Sequence, residues 1–299
     1  MPTRTIELDG PLDLARTLFP LRRGTGDPVL RIDGRVAWRA SRTSDGPATV
    51  RFEQRGHALV VAEAWGAGAD AALERAPGVI GALDDASGFV PRHRAVTEAW
   101  RRHRGVRLTQ TGELLPALVA AICEQKVTGV RARRAWRTLV RMTSEPAPGE
   151  AGVWLPPDPA RLAALPSFAF HQAELERRRA DVVRGICERA TRIERLAEGS
   201  LADAKAALGA FPGIGPWTVA EVARLALGDA DAVSVGDFHL PDLVAWALAG
   251  EPRASDARML ELLEPYRGHR GRVQRLLETG GNRAPSFGPR SDVGAIAGR

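Results

Sequence analysis

The sequence predicts an α+β N-terminal domain, a small antiparallel sheet with helices, followed by an all-α domain. Three observations lead there. Residues 1–91 alternate short strand-like runs with Gly-centred turns. From residue 92 onward, apolar residues recur at helical spacing. Between two of those later helices lies Pro212-Gly213-Ile214-Gly215, a turn whose glycines permit backbone that other residues resist.

In the first domain, residues 5–8 read as a strand and 12–21 as a helix. Residues 29–32, 35–41, 49–53 and 58–64 follow as strands, divided by turn signals at Asp33-Gly34, Ser44-Asp45-Gly46 and Arg55-Gly56. A helix over 67–75 completes a β-α-β-β-β-β-α order, which suits helices set against an antiparallel sheet. No motif there points to chemistry.

In the second domain, residues 93–104 form a basic helix. Leu115, Leu118, Val119 and Ile122 fall at i, i+3, i+4 and i+7, a core-facing stripe. The helix over 130–142 turns Ala132, Ala135, Trp136, Leu139 and Val140 inward and leaves Arg131, Arg133, Arg134, Arg137 and Arg141 as a solvated basic face. Residues 143–158, rich in Pro and Gly, read as a long exposed loop. A mixed-charge helix lies within 163–198, and helices over 201–208 and 217–227 flank the Pro-Gly-Ile-Gly turn. Helices over 241–248, 255–264 (with Ser255 as N-cap) and 268–278 follow. The second domain thus runs over 92–280, and 281–299 is a flexible C-terminal tail without periodicity.

Composition narrows the function. A chain of 299 residues suits two domains. Its formal net charge of +6, with 42 Lys plus Arg, mostly Arg, and a pI near 10.4, suits a nucleic-acid partner. Cys123 and Cys187 have no partners at metal-ligand spacing, so neither a zinc site nor a four-cysteine iron–sulfur cluster can be built. No apolar run reaches membrane-spanning length and no signal peptide opens the chain. The expectation is a soluble, cytoplasmic, nucleoid-associated monomer with no membrane partner.

The turn itself has chemistry. Pro216 suits the first turn of the helix that follows, and the glycines expose backbone N–H groups at the positive end of its dipole. Such a place holds an anion, and a phosphate fits it. Twenty residues after Trp217 the chain reads Ala232-Val233-Ser234-Val235-Gly236-Asp237-Phe238-His239-Leu240-Pro241, a carboxylate after a short apolar run and before a helix. The pair Phe-Pro-Gly-Ile-Gly-x-Trp-Thr-Val-Ala and Val-x-Val-Gly-Asp-Phe-His-Leu-Pro resembles the helix-hairpin-helix, Gly/Pro-rich loop and aspartate of the base-excision DNA glycosylase superfamily. Within it, the chain is most similar to the bacterial DNA-3-methyladenine glycosylases of type II. The resemblance covers residues 95 to 280 by motif and the first domain by order of elements only.

That resemblance implies an all-α helix-hairpin-helix glycosylase core and a catalytic role for Asp237, beside the ordinary reading of such an aspartate as a helix cap. Trp217 stands where strand-cleaving relatives carry a lysine, which implies base hydrolysis without lyase activity. Its face can stack on a cationic alkylated base, and Tyr266 is implied as a second pocket aromatic. Either aromatic also reads as a core residue. Phe211, Gly213, Ile214, Gly215 and Thr218 are implied to meet DNA at the hairpin. Residues 121–128 resemble a family segment that borders DNA, which brings in Gln125, Lys126 and Thr128, with Lys126 where relatives often carry an apolar wedge. His239, Arg270 and Arg272 are candidates for phosphate contact, and Arg179-Ala180 can be laid on a family Lys/Arg-Ala pair. The hairpin carbonyls hold a monovalent cation in relatives, Na+ or K+, and no redox cofactor is implied. The expected function is excision of 3-methyladenine-like bases flipped out of damaged double-stranded DNA. Two alternatives stay open: the same scaffold acting on deaminated, oxidised or mismatched bases, and a damage-binding protein without catalysis.

Overall fold

The computed structural model describes residues 1–281 and 284–285, so most of the tail expected over 281–299 lies outside the described residues. The chain begins with β1 (Thr3–Glu7), α1 (Leu14–Leu18), β2 (Leu30–Asp33), β3 (Val36–Thr43), β4 (Gly46–Gln54), β5 (Leu59–Trp65) and α2 (Ala69–Val79). The strands form one antiparallel sheet in the order β1-β5-β4-β3-β2. Asp13 caps α1 by accepting from Arg16 N at 2.9 Å. The helix expected as far as residue 21 ends at Leu18 and tightens into a 3-10 turn, because Pro20 has no N–H for the next α-helical bond. Phe52, Val60 and Ala62 of the sheet bury themselves against Leu14, Leu18, Leu73 and Ile80.

The helical part follows as α3 (Arg94–Arg102), α4 (Leu114–Glu124), α5 (Gly129–Thr143), α6 (Pro159–Ala164), α7 (Ser167–Gln172), α8 (Arg177–Cys187), α9 (Ala190–Arg195), α10 (Leu201–Gly209), α11 (Pro216–Ala226), α12 (Leu240–Ala249), α13 (Asp256–Leu263) and α14 (Arg270–Thr279). One apolar cluster joins α4, α5, α8 and α11 through Leu118, Ile122, Trp136, Leu139, Val183 and Val222. A second joins α3 to α12, α13 and α14 through Val96, Val244, Leu263 and Val273. The segment from α11 to α12 passes from the first cluster to the second and carries Asp237.

Residues 143–158 correct the sequence reading. They form no exposed loop: Val153 and Leu155 are buried, Ser144 donates to the carbonyl of Leu155 at 2.8 Å, and Trp154 N donates to Pro28 O at 2.7 Å. Arg141 is exposed as expected, and its guanidinium also lies 4.0 Å over the Trp154 ring. The segment seals the helical part against the sheet domain.

Candidate active site

The turn between α10 and α11 is built as its glycines demand. Gly213 has φ +84, and a Cβ there would sit 2.3 Å from Val182 Cγ2, so both conformation and space require glycine. Gly215 caps α11 in ordinary extended backbone, with open space where a Cβ would go. Ile214 N donates to Phe211 O at 3.1 Å and closes the turn. The N–H groups of Gly213 and Gly215 have no intramolecular partner among the described residues. They stand just before the start of α11, where an anion is favoured.

Asp237 reaches this turn from the other side. Gly236, at φ +91, swings the chain round so that the aspartate faces both ways. Its Oδ1 accepts from the N–H groups of His239 and Leu240, at 2.8 and 2.9 Å, and thereby caps α12. Its Oδ2 accepts from Trp217 Nε1 at 3.1 Å. The cap and the hairpin contact therefore coexist on one carboxylate, because its two oxygens serve different neighbours. The loop beneath is pinned in turn: Ser234 Oγ lies 2.5 Å from Glu221 Oε1, Ser234 N donates to Gln274 Oε1, and Asp237 N donates to Ser234 O.

Trp217 is half-buried against the main helical core, its indole N–H committed to Asp237. Gln125 braces the same turn, donating from Nε2 to Gly213 O at 3.1 Å and to Thr218 Oγ1 at 3.0 Å. That leaves Lys126, the next residue, exposed at φ +53 on the tip between α4 and α5. Gln125, Lys126, Gly213, Trp217 and Asp237 are thus linked around one place on the surface.

Several expected contacts lie elsewhere. Tyr266 is buried, not pocket-lining in the open: its hydroxyl accepts from the N–H groups of Arg92 and His93 and lies 2.6 Å from His93 Nδ1. Burial pushes its phenol up, and its ring packs with Phe89. Arg270 grips Asp231 through Nε and Nη2, and Arg272 grips Asp84 at 2.9 and 2.7 Å, so neither guanidinium is free for a phosphate. Ile214 and Thr218 are buried inside the hairpin, and Phe211 packs half-buried on the core, so these three shape the turn from within. Thr128 starts α5 with a buried hydroxyl that has no hydrogen-bond partner among the described residues. Arg179 is a bolt, donating to Cys123 O and Glu174 O. Both cysteines are buried, and that burial pushes their thiols up to about 12.

One residue escaped the sequence reading. Phe238, directly after Asp237, is 83 % exposed, with its ring 4.8 Å from that of His239 in an edge-on arrangement. The signal was available: a large aromatic between an aspartate and a histidine has little reason to sit in a polar pre-helix loop unless something covers it.

No protein-family model and no curated protein sequence matches the chain. Solved structures do match. A 3-methyladenine DNA glycosylase from Archaeoglobus fulgidus superposes with a TM-score of 0.75 at 17 % identity, covering 93 % of this chain and 98 % of that one. An 8-oxoguanine glycosylase/lyase from Clostridium acetobutylicum, in complex with double-stranded DNA, gives 0.69 at 12 % identity over 92 % and 96 %. The Schizosaccaromyces pombe 3-methyladenine DNA glycosylase in complex with abasic DNA gives 0.53 at 16 % identity over 64 % and 92 %. The chain has the fold of the helix-hairpin-helix DNA glycosylases.

Proposed function

We propose that this protein is a monofunctional DNA glycosylase that hydrolyses the N-glycosidic bond of alkylated, 3-methyladenine-like bases flipped out of duplex DNA. The observation that carries the proposal is Asp237, oriented by three N–H donors at the mouth of a hairpin with unpartnered backbone amides. The shared fold supports the reading, since it belongs to enzymes that act on DNA.

The chemistry needs little more than this. An alkylated purine carries positive charge and leaves with the bonding electrons of the C1′–N bond without prior protonation. Asp237 stabilises the cationic sugar, takes a proton from the attacking water, and is held in register by Trp217. Trp217 and the exposed Phe238 offer aromatic faces to the cationic base. Gly213 and Gly215 hold a backbone phosphate, a contact that positions the duplex without reading sequence. The carbonyls of Phe211 and Gly213 each accept one hydrogen bond, from Ile214 N and Gln125 Nε2, and each keeps a lone pair with which a Na+ or K+ ion could be held.

Purified protein incubated with methylated DNA should release 3-methyladenine, seen by chromatography, and leave an intact abasic strand. Borohydride should trap no covalent adduct, since Trp217 stands in the hairpin where strand-cleaving relatives carry a lysine. A trapped adduct that disappears in Lys126→Ala would overturn this, Lys205 being paired with the buried Asp229. Release of 8-oxoguanine instead moves the substrate to oxidised bases. Tight binding with no base released from any substrate leaves a damage-binding protein.

A further inference from the structure

A cavity of about 400 Å³ opens between the sheet domain and the helical part, and Asp237 is not in its wall. Arg16 and Phe19 line it from the first domain, Glu221 and Arg224 from α11, and Arg275 and Glu278 from α14.

The acids of this cavity are spent on one arginine. Glu221 places both oxygens on Arg224 Nη2, at 2.8 and 3.0 Å, and Glu278 Oε2 takes Arg224 Nη1 at 3.1 Å. The remaining Glu278 oxygen accepts from Gln274 Nε2 at 2.9 Å. Arg275 is in a different position. It is 7 % exposed, and the only hydrogen bond of its guanidinium among the described residues runs from Nη2 to the carbonyl of Arg16. A guanidinium has five N–H donors, and burying it with so few partners is costly. Burial pulls its pKa down to about 10. Phe19, at the same opening, is 62 % exposed.

We propose that this cavity is a second ligand site, taking a small organic monocarboxylate whose carboxylate forks onto Arg275 while its apolar body lies against Phe19. The planar guanidinium suits a planar, two-oxygen anion. Charge argues for one negative charge over two: Arg16, Arg224 and Arg275 against Glu221 and Glu278 leave the wall with one net positive charge, which a monoanion neutralises and a phosphate dianion exceeds. The site stands whether or not the glycosylase reading does.

Benzoate is the probe, with benzyl alcohol as its neutral counterpart and inorganic phosphate as an anion without a body. Calorimetric titration of the full chain should show one benzoate site with a Kd on the order of 1 mM, as befits so small a ligand. Benzyl alcohol and phosphate should bind at least ~10-fold more weakly, the former for want of a charge-assisted pair. Arg275→Met should abolish the preference for benzoate over the alcohol, Phe19→Ala should weaken benzoate by about 3-fold or more, and Asp237→Asn should leave its affinity unchanged. If Arg275→Met loses its thermal transition, Phe19→Ala at its exposed position and the alcohol comparison decide. Absence of saturable benzoate binding, equal affinity for the alcohol, indifference to Phe19→Ala, or loss of binding in Asp237→Asn overturns the proposal.

Discussion

The hairpin face and the start of α14 carry the same kinds of residue to opposite ends. At the hairpin, the amides of Gly213 and Gly215, the ammonium of Lys126 and the ring of Phe238 remain available to something outside the chain. Around α14, Arg270, Arg272 and Tyr266 are consumed by Asp231, Asp84 and the backbone of residues 92 and 93. A buried charge must find a partner inside the fold, whereas a binding surface is made of groups left without one. Residue type therefore says little about which end binds. Whether the polar atoms are already spent says more.

The largest effect that separates the two ends should come from Asp237→Asn. The amide keeps an oxygen for the α12 cap, so the thermal transition should survive, while base release falls by about 10²–10⁴-fold. Rates of release per folded molecule, beside a melting curve, make the measurement. Loss of both together would return Asp237 to the role of a cap alone. Arg272→Met should show the reverse pattern. It strands Asp84 in the interior and should cost about 3 kcal/mol or more in denaturant unfolding, with activity per folded molecule retained.

Glu194 sharpens the same contrast, being a buried carboxylate with no place in the site. Its oxygens accept from Leu114 N and Leu115 N, each at 2.9 Å, and burial pushes its pKa up to about 7. The unfolded chain ionises first, near pH 4.5, so this group lowers stability as pH rises from there to about 7. Below that window it contributes no slope. Glu194→Gln should remove this part of the decline, at most about 3 kcal/mol. Melting curves from pH 4.5 to 8 that fall equally for both proteins would show that the carboxylate ionises normally.

Within the hairpin, the two glycines should part company. Gly213→Ala meets Val182 and a left-handed backbone, so it should lower stability and DNA affinity together. Gly215→Ala meets neither obstacle and should fold normally. Its added methyl group stands between amide and phosphate, so affinity should fall by a similar factor for every DNA sequence, measured by fluorescence anisotropy. A change in sequence preference at constant affinity would contradict phosphate anchoring.

How much was legible follows the range of the interactions. The sheet could be read because its turns are local: Gly34 and Gly46 have positive φ between strands that pair with their neighbours in sequence. The hairpin was legible for the same reason. Residues 143–158 were misread because Pro and Gly dominate their composition, while the seal depends on Val153 and Leu155 meeting a distant surface. Arg272 was offered to DNA because Asp84 lies 188 positions away in the chain, beyond any spacing rule. Asp237 is the instructive middle case. Its cap is local, its contact with Trp217 spans 20 residues, and the motif pair held both.

Lys126 gives the smallest effect and the finest test. Its neighbour Gln125 is tied to Gly213 O and Thr218 Oγ1, so Gln125 is not free to fill a gap in a base stack. What the tip presents is Lys126, held at φ +53, a conformation that costs a non-glycine residue roughly 1 kcal/mol or more. An ammonium fills an apolar gap poorly; it stays hydrated or meets a phosphate. Lys126→Ala should therefore weaken DNA binding and reduce the magnitude of its salt slope by up to about one unit. Lys126→Leu should keep or improve base flipping, read from 2-aminopurine fluorescence beside the lesion. Lys126→Gly separates backbone from charge: it relieves the strained φ and should raise stability by up to about 1 kcal/mol, yet lose the same salt-dependent affinity as the alanine variant. If the alanine and glycine variants bind with the wild-type salt slope, the tip of the α4–α5 turn does not touch phosphate, and the DNA lies elsewhere on the hairpin face.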